Sequence, residues 1–111
     1  MIEIYRRNPY TENCQYVNDS DIAIDLSGYK IIFIVKREND NSINDDLAII
    51  TKEQTIVDGT TGQFIISLNS EDTDIAPMVY NYEIQMSKDN IVNTIDQGKF
   101  TIKNTIIKVI K

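Results

Sequence analysis

The chain has 111 residues, a net charge of −6, no histidine and a single cysteine. That length suits one domain, residues 1–111, folded around one core. The lone Cys14 excludes an internal disulfide, and the acidic balance argues against a nucleic-acid binder, which needs a basic patch to displace counterions.

Isoleucine dominates the apolar set while tryptophan is absent, which tilts the reading toward strands. The first residues, Met-Ile-Glu-Ile-Tyr-Arg-Arg, hold no apolar core after a basic start, so no signal peptide is expected. No apolar run approaches the roughly 18 residues of a membrane span, and no membrane partner is expected. With no secretion signal and no cysteine pair, folding inside a cell is the simplest expectation.

Taken in chain order, residues 1–7 read as a first strand with Ile2 and Ile4 on one face, broken by Asn8-Pro9. Cys14 to Val17 is a weak strand candidate, followed by the turn cluster Asn18-Asp19-Ser20-Asp21. Ile22, Ile24 and Leu26 alternate with Ala23 and Asp25 and predict a short half-buried strand. Ser27-Gly28 then leads into the most strand-like stretch of the chain. Tyr29, Ile31, Phe33 and Val35 share one face, while Ile32 and Ile34 make the other face apolar between Lys30 and Lys36. Apolar on both sides in its middle, this strand is expected at the centre of a sheet.

Residues 38–46 form a polar loop. Extended character resumes at Leu47 to Lys52, and Thr55 to Val57 extends it past Glu53-Gln54. The stretch from Asp58-Gly59 to Gly62 is a turn. Phe64, Ile66 and Leu68 alternate with Gln63, Ile65 and Ser67. Residues 69–77 are a connection in which Ser70 could cap a single helical turn before Pro77. Tyr80, Tyr82, Ile84 and Met86 share a face opposite Asn81, Glu83 and Gln85, the cleanest alternation in the chain. Lys88-Asp89-Asn90 predicts a hairpin turn, since Asp and Asn tolerate positive φ. Ile91 to Ile95 returns, Asp96-Gln97-Gly98 turns again, and Phe100 to Ile110 is a last strand with a change of phase near Asn104-Thr105.

Eight or nine short strands and no convincing helix predict an all-β antiparallel sandwich or barrel. Tyr80, just after a proline-containing corner, stands where the tyrosine corner of an immunoglobulin-like sandwich would stand. The tryptophan and paired cysteines of antibody domains are missing.

Chemistry is hard to find. Without histidine there can be no Ser-His-Asp or Cys-His arrangement, and the commonest metal ligand is gone. Cys14 has no candidate base and reads as a small buried residue. Asp40, Ser42, Asn44 and Asp46 alternate as oxygen donors, a spacing that hard cations use, but Asp45 and Thr51 stand where an EF-hand wants Gly and Glu, so a solvated loop is the expectation. No catalytic, cofactor-binding or metal residues are assigned, and no enzyme is expected. The charge is uneven: residues 99–111 carry four lysines and no acid, a pattern that guards sheet edges. Tyr5, Tyr10 and Tyr16 fall outside the core phases and suit contact with a partner. Candidate contact surfaces are the outer face of the central strand, Ile32 and Ile34, and the last strand, Ile107, Val109 and Ile110.

The order of these segments is similar to that of a known family. Asp25-Leu26-Ser27-Gly28-Tyr29 running into Ile31-Ile32-Phe33-Ile34-Val35-Lys36-Arg37 resembles the opening of the N-terminal domain of phage baseplate upper proteins. Asp46-Leu47-Ala48-Ile49-Ile50-Thr51-Lys52, Gly62 through Leu68, Glu71-Asp72-Thr73, Tyr80-Asn81-Tyr82-Glu83-Ile84-Gln85-Met86, Thr94-Ile95 and Gly98-Lys99-Phe100-Thr101-Ile102 continue the likeness over residues 20–105. Met78 and Glu83 depart from the family's usual Gly and Asp. The resemblance implies an immunoglobulin-like sandwich that serves as a baseplate or tail assembly module of the virion. It would be assembled in the bacterial host cytoplasm, form homo-oligomers and contact other virion tail, baseplate or capsid proteins. A capsid decoration or neck protein on the same sandwich, or a carbohydrate- or cell-surface-binding module, are the alternatives.

Overall fold

The computed structural model describes residues 1–38 and 48–104. The chain is all-β: β1 (Ile2–Tyr5), β2 (Tyr10–Gln15), β3 (Lys30–Arg37), β4 (Ile50–Asp58), β5 (Gln63–Leu68), β6 (Met78–Lys88) and β7 (Ile91–Lys103), with a 3-10 turn at Gly59–Thr61. They form a single mixed sheet in the order β1-β7-β6-β3-β4-β5-β2. Among the described residues there are seven strands where eight or nine were expected along the chain, because two segments behave differently from their pattern. β3 holds the fourth of the seven places, the central position that its two apolar faces predict.

The sheet folds over along β4. Its first half, Ile50 to Gln54, pairs with β3, while Thr55 to Asp58 pairs with β5, with a register shift near Ile56. Gln54 sits at the crossover, buried, and its side-chain oxygen accepts the Ser67 N–H at 2.8 Å. That bond supplies a partner to β5 where β4 changes its own. Folding over brings one face of every strand except β2 into a common core: Ile2, Ile4, Ile31, Phe33, Val35, Ile50, Phe64, Ile66, Leu68, Tyr80, Tyr82, Ile84, Met86, Phe100 and Ile102. From β2, Tyr10 and Cys14 pack against it half-buried. Phe33 lies at the middle, stacked on Tyr82 with ring centres 5.7 Å apart and edge-on to Phe100 at 5.8 Å, separations at which aromatic pairs attract beyond their buried area.

Three strand and turn assignments are corrected. The alternating run Ile22 to Leu26 is not a strand. Leu26 is buried, but its N–H bonds the Gly59 carbonyl at 2.6 Å and Ile24 bonds Tyr16 at 3.0 Å, while Ile22 is 61% exposed. The backbone there is used to plug one end of the core and to enter the Leu26–Tyr29 turn, closed by Gly28 at φ 81°. Nor is Asp96-Gln97-Gly98 a turn: β7 runs through it unbroken, opposite β6, and one register shift after Ile84 leaves Ile95 as an extra residue. The weak candidate at Cys14 to Val17 is also displaced. β2 begins at Tyr10, directly after Asn8-Pro9, and ends at Gln15.

The remaining corners follow their sequence. Asp89 and Asn90 carry φ of 52° and 67°, the two left-handed residues of a type I′ hairpin. Asn69 and Asp72 cap each other, Asp72 accepting the Asn69 N–H at 2.8 Å and Asn69 the Asp72 N–H at 2.9 Å. The buried Thr73 hydroxyl donates to the Asn8 carbonyl at 2.8 Å, fastening this corner to the β1–β2 turn. The Tyr80 hydroxyl donates to the Ala76 carbonyl four residues upstream, at 2.6 Å. The sheet is not the wholly antiparallel one expected: β1 pairs parallel with β7, Ile2 beside Phe100 and Tyr5 beside Lys103, because β1 and β7 enter their shared ladder from the same end.

Candidate interaction surface

The outer face of the half formed by β1, β7, β6, β3 and the start of β4 carries the side chains that period-two alternation turns away from the core. Ile32 stands between Gln85 and Glu53, and Ile34 between Glu83 and Thr51. Ile32 is half-buried, but Ile34 is only 2% exposed. Ile34 therefore offers no surface to a neighbour, and the expected pair reduces to Ile32. Ile107, Val109 and Ile110 lie outside the described residues, as does the Asp40–Asp46 loop.

Charges on this face are tied down. Lys99 donates to Glu38 at 2.8 Å and to the Asn81 side-chain oxygen at 2.9 Å. Lys103 pairs with Glu3 at 3.0 Å, which raises its pKa, and its ammonium lies 5.5 Å from the centre of the Tyr5 ring. Such exposed pairs contribute little to stability but keep the two lysines in fixed places.

Of the tyrosines expected at a contact, Tyr5 is exposed; other open apolar groups are ones the sequence did not single out. Ile91 and Val92, at the start of β7, are 63% and 55% exposed, and Met78 and Val79 are exposed at the start of β6. Neighbouring residues of a strand point to opposite faces, so the hairpin end carries a branched apolar side chain on each side. The available signal was the adjacency of Ile91 and Val92, which no single buried face can absorb.

On the inner side, β2 and β7 approach without pairing, and a cleft of about 170 Å³ opens there, lined by Cys14, Gln15, Tyr16, Phe64, Ile84, Ile95 and Asp96. Tyr82 donates its hydroxyl to Asp96 at 3.1 Å and Tyr10 donates to Glu12. Burial, then the Asp96 charge, pushes the Tyr82 phenol up to about 12. Burial, then the charges of Glu12 and Asp96, pushes the Cys14 thiol up to about 11. Tyr10 shifts upward for the same leading reason. A thiol held protonated beside carboxylates is a poor nucleophile near neutral pH.

Against known protein families and curated proteins, the chain matches none. What the described residues offer is surface: an open hairpin end, the half-buried Ile32, and two strands, β1 and β2, that terminate the sheet. Among them, no group of three or more His, Cys, Asp or Glu converges to hold a metal ion.

Proposed function

We propose that the chain is a non-enzymatic structural protein of a phage or prophage virion, an immunoglobulin-like tail or baseplate module that works in several copies through protein–protein contacts. The observation that carries the reading is the strand order combined with the Tyr80–Ala76 bond. Divided at Gln54, the array consists of β1-β7-β6-β3-β4 and β4-β5-β2, sharing one core and one strand. Tyr80 comes at the start of the sixth strand, after the corner that follows the fifth, and its hydroxyl returns to the backbone upstream. The tyrosine corner of immunoglobulin-like sandwiches has a similar position and a similar bond, which supports the reading.

A sandwich hosts many functions, so the functional half of the reading leans on two other supports: the ordered resemblance over residues 20–105, and the exposed apolar residues at the strand ends. The test is to fractionate particles from an induced lysate of the source bacterium and to look for the chain by mass spectrometry. Recovery with tails is the expected result. Recovery with heads alone would move the protein to the capsid, and absence from every particle fraction overturns the reading.

A further inference from the structure

β2 closes one end of the seven-stranded order, and no described strand pairs with its outer side. Which backbone groups face outward follows from one bond. Tyr16, the residue after β2, donates its N–H to the Gly62 carbonyl at 2.9 Å, on the rung that follows Gln15 beside Gln63. Hydrogen-bonded rungs alternate in an antiparallel pair, so Cys14, Glu12 and Tyr10 bond β5. Thr11, Asn13 and Gln15 then turn both N–H and C=O away from the sheet. All three are exposed.

Natural sheet edges are usually guarded by lysine, proline, bulges or brevity. Between Tyr10 and Gln15 there is no lysine, arginine or proline, and β2 runs six residues. Its one charge, Glu12, is engaged by the Tyr10 hydroxyl. The opposite edge, β1, is four residues long, with Glu3 paired to Lys103. Among the described residues one edge is therefore protected, while the other is unpaired and uncharged on its outward-bonding residues.

We propose that the outer edge of β2 is a self-pairing interface, on which β2 of a second copy adds in antiparallel register about a two-fold axis at Asn13. The pattern is self-complementary. With Asn13 facing Asn13 of the second copy, Thr11 faces Gln15, and these rungs supply about six main-chain hydrogen bonds. On the rungs between, Glu12 faces Cys14, so the two carboxylates are never directly opposed, an arrangement that like charges would otherwise penalise. In a chain of net charge −6, an edge with a single carboxylate per copy adds little repulsion to the contact, and a two-fold contact is the commonest closed symmetry. The contact makes one continuous sheet from two copies, strand addition at an exposed edge. The proposal specifies one contact within the assembly reading above.

The test is the mass in solution, by light scattering across protein concentration, of the full chain and two variants. Asn13→Pro deletes an outward N–H that the β5 ladder does not use, and edge strands tolerate proline. The full chain is expected to be a dimer that dissociates on dilution and tightens with added salt, which screens the like charge. Asn13→Pro, with an unchanged circular dichroism spectrum, is expected to dimerise at least ~10-fold more weakly. Asn13→Cys in a Cys14→Ser background places two thiols across the axis on a hydrogen-bonded rung, where β-carbons stand about 5.5 Å apart, wider than a disulfide takes, and a short bis-maleimide is expected to link the dimer. A folded Asn13→Pro variant that dimerises as well as the parent, an Asn13→Cys variant that stays unlinked, or a full chain that is monomeric throughout would each overturn the proposal. A monomer that is nevertheless recovered in tail particles leaves the assembly reading standing. A β2-linked dimer found in no particle does the reverse.

Discussion

Gly98 lies directly opposite Tyr82 on the β6–β7 ladder, and a β-carbon on Gly98 would come within 2.9 Å of the Tyr82 ring. The glycine leaves room for the ring to lie across β7, where it stacks on Phe33 and reaches Asp96. Gly98→Ala is expected to destabilise the fold by about 1–3 kcal/mol, the usual cost of overpacking. In a Tyr82→Leu background the same change should cost much less, because the clashing ring is gone. Urea unfolding of the four proteins in the cycle measures the coupling, and equal costs in both backgrounds would sink the explanation.

Tyr80→Phe removes the bond to the Ala76 carbonyl while keeping the ring against Phe100. Ala76 is exposed, so water can replace the lost donor and the penalty should fall near about 1 kcal/mol. A shift in the urea midpoint with an unchanged slope is the expected signature. No shift would mean that the corner contributes nothing.

At the hairpin, Asn90 holds φ 67°. Asn90→Val puts a β-branched residue in the left-handed region and is expected to cost about 1–3 kcal/mol. Asn90→Gly should be neutral or mildly stabilising, since glycine adopts that conformation without steric cost. Thermal unfolding of both variants checks the sign.

Stability should decline in alkali. Cys14 rises from 9.0 to about 11 and Tyr82 from 10.0 to about 12 on folding. The folded protein holds these protons longer than the unfolded chain, so the contribution is full below the unfolded values and is lost as pH climbs through the folded ones. The decline therefore begins near pH 9 for Cys14 and near pH 10 for Tyr82. Urea midpoints measured from pH 8 upward should show it, and Cys14→Ser with Tyr82→Phe should make it shallower, leaving the part that Tyr10 and Tyr80 contribute by the same upward shift. A thiol reagent at pH 8 should label Cys14 slowly in the native protein and quickly in urea.

How far the sequence reveals this structure depends on which force shaped each part. Phe64-Ile66-Leu68 and Tyr80-Tyr82-Ile84-Met86 are buried on one face as their alternation says, because burial of that face is what holds them. The Asp89-Asn90 turn is legible because its chemistry is local. β2 is not: Tyr-Thr-Glu-Asn-Cys-Gln has weak strand character and owes its shape to β5, a long-range pairing that no local window contains. Ile22 to Leu26 fails in the opposite sense, its alternation being genuine while its backbone bonds go to Tyr16 and Gly59. Gly98 was read as a turn residue although its role is steric, set by a ring sixteen positions upstream. The exposed Ile91 and Val92, and the open edge of β2, are surface features that emerge only once the strand order is known.

The parallel pairing of β1 with β7 has a mechanical consequence. Ile2 and Lys103 lie at opposite ends of that short ladder, so tension applied between them loads all of its hydrogen bonds together, in shear. An antiparallel first strand would be peeled off one bond at a time. A particle that stacked such modules and pulled along this line would meet the fold at its stiffest, whereas a pull across the β6–β7 hairpin would open it like a zip.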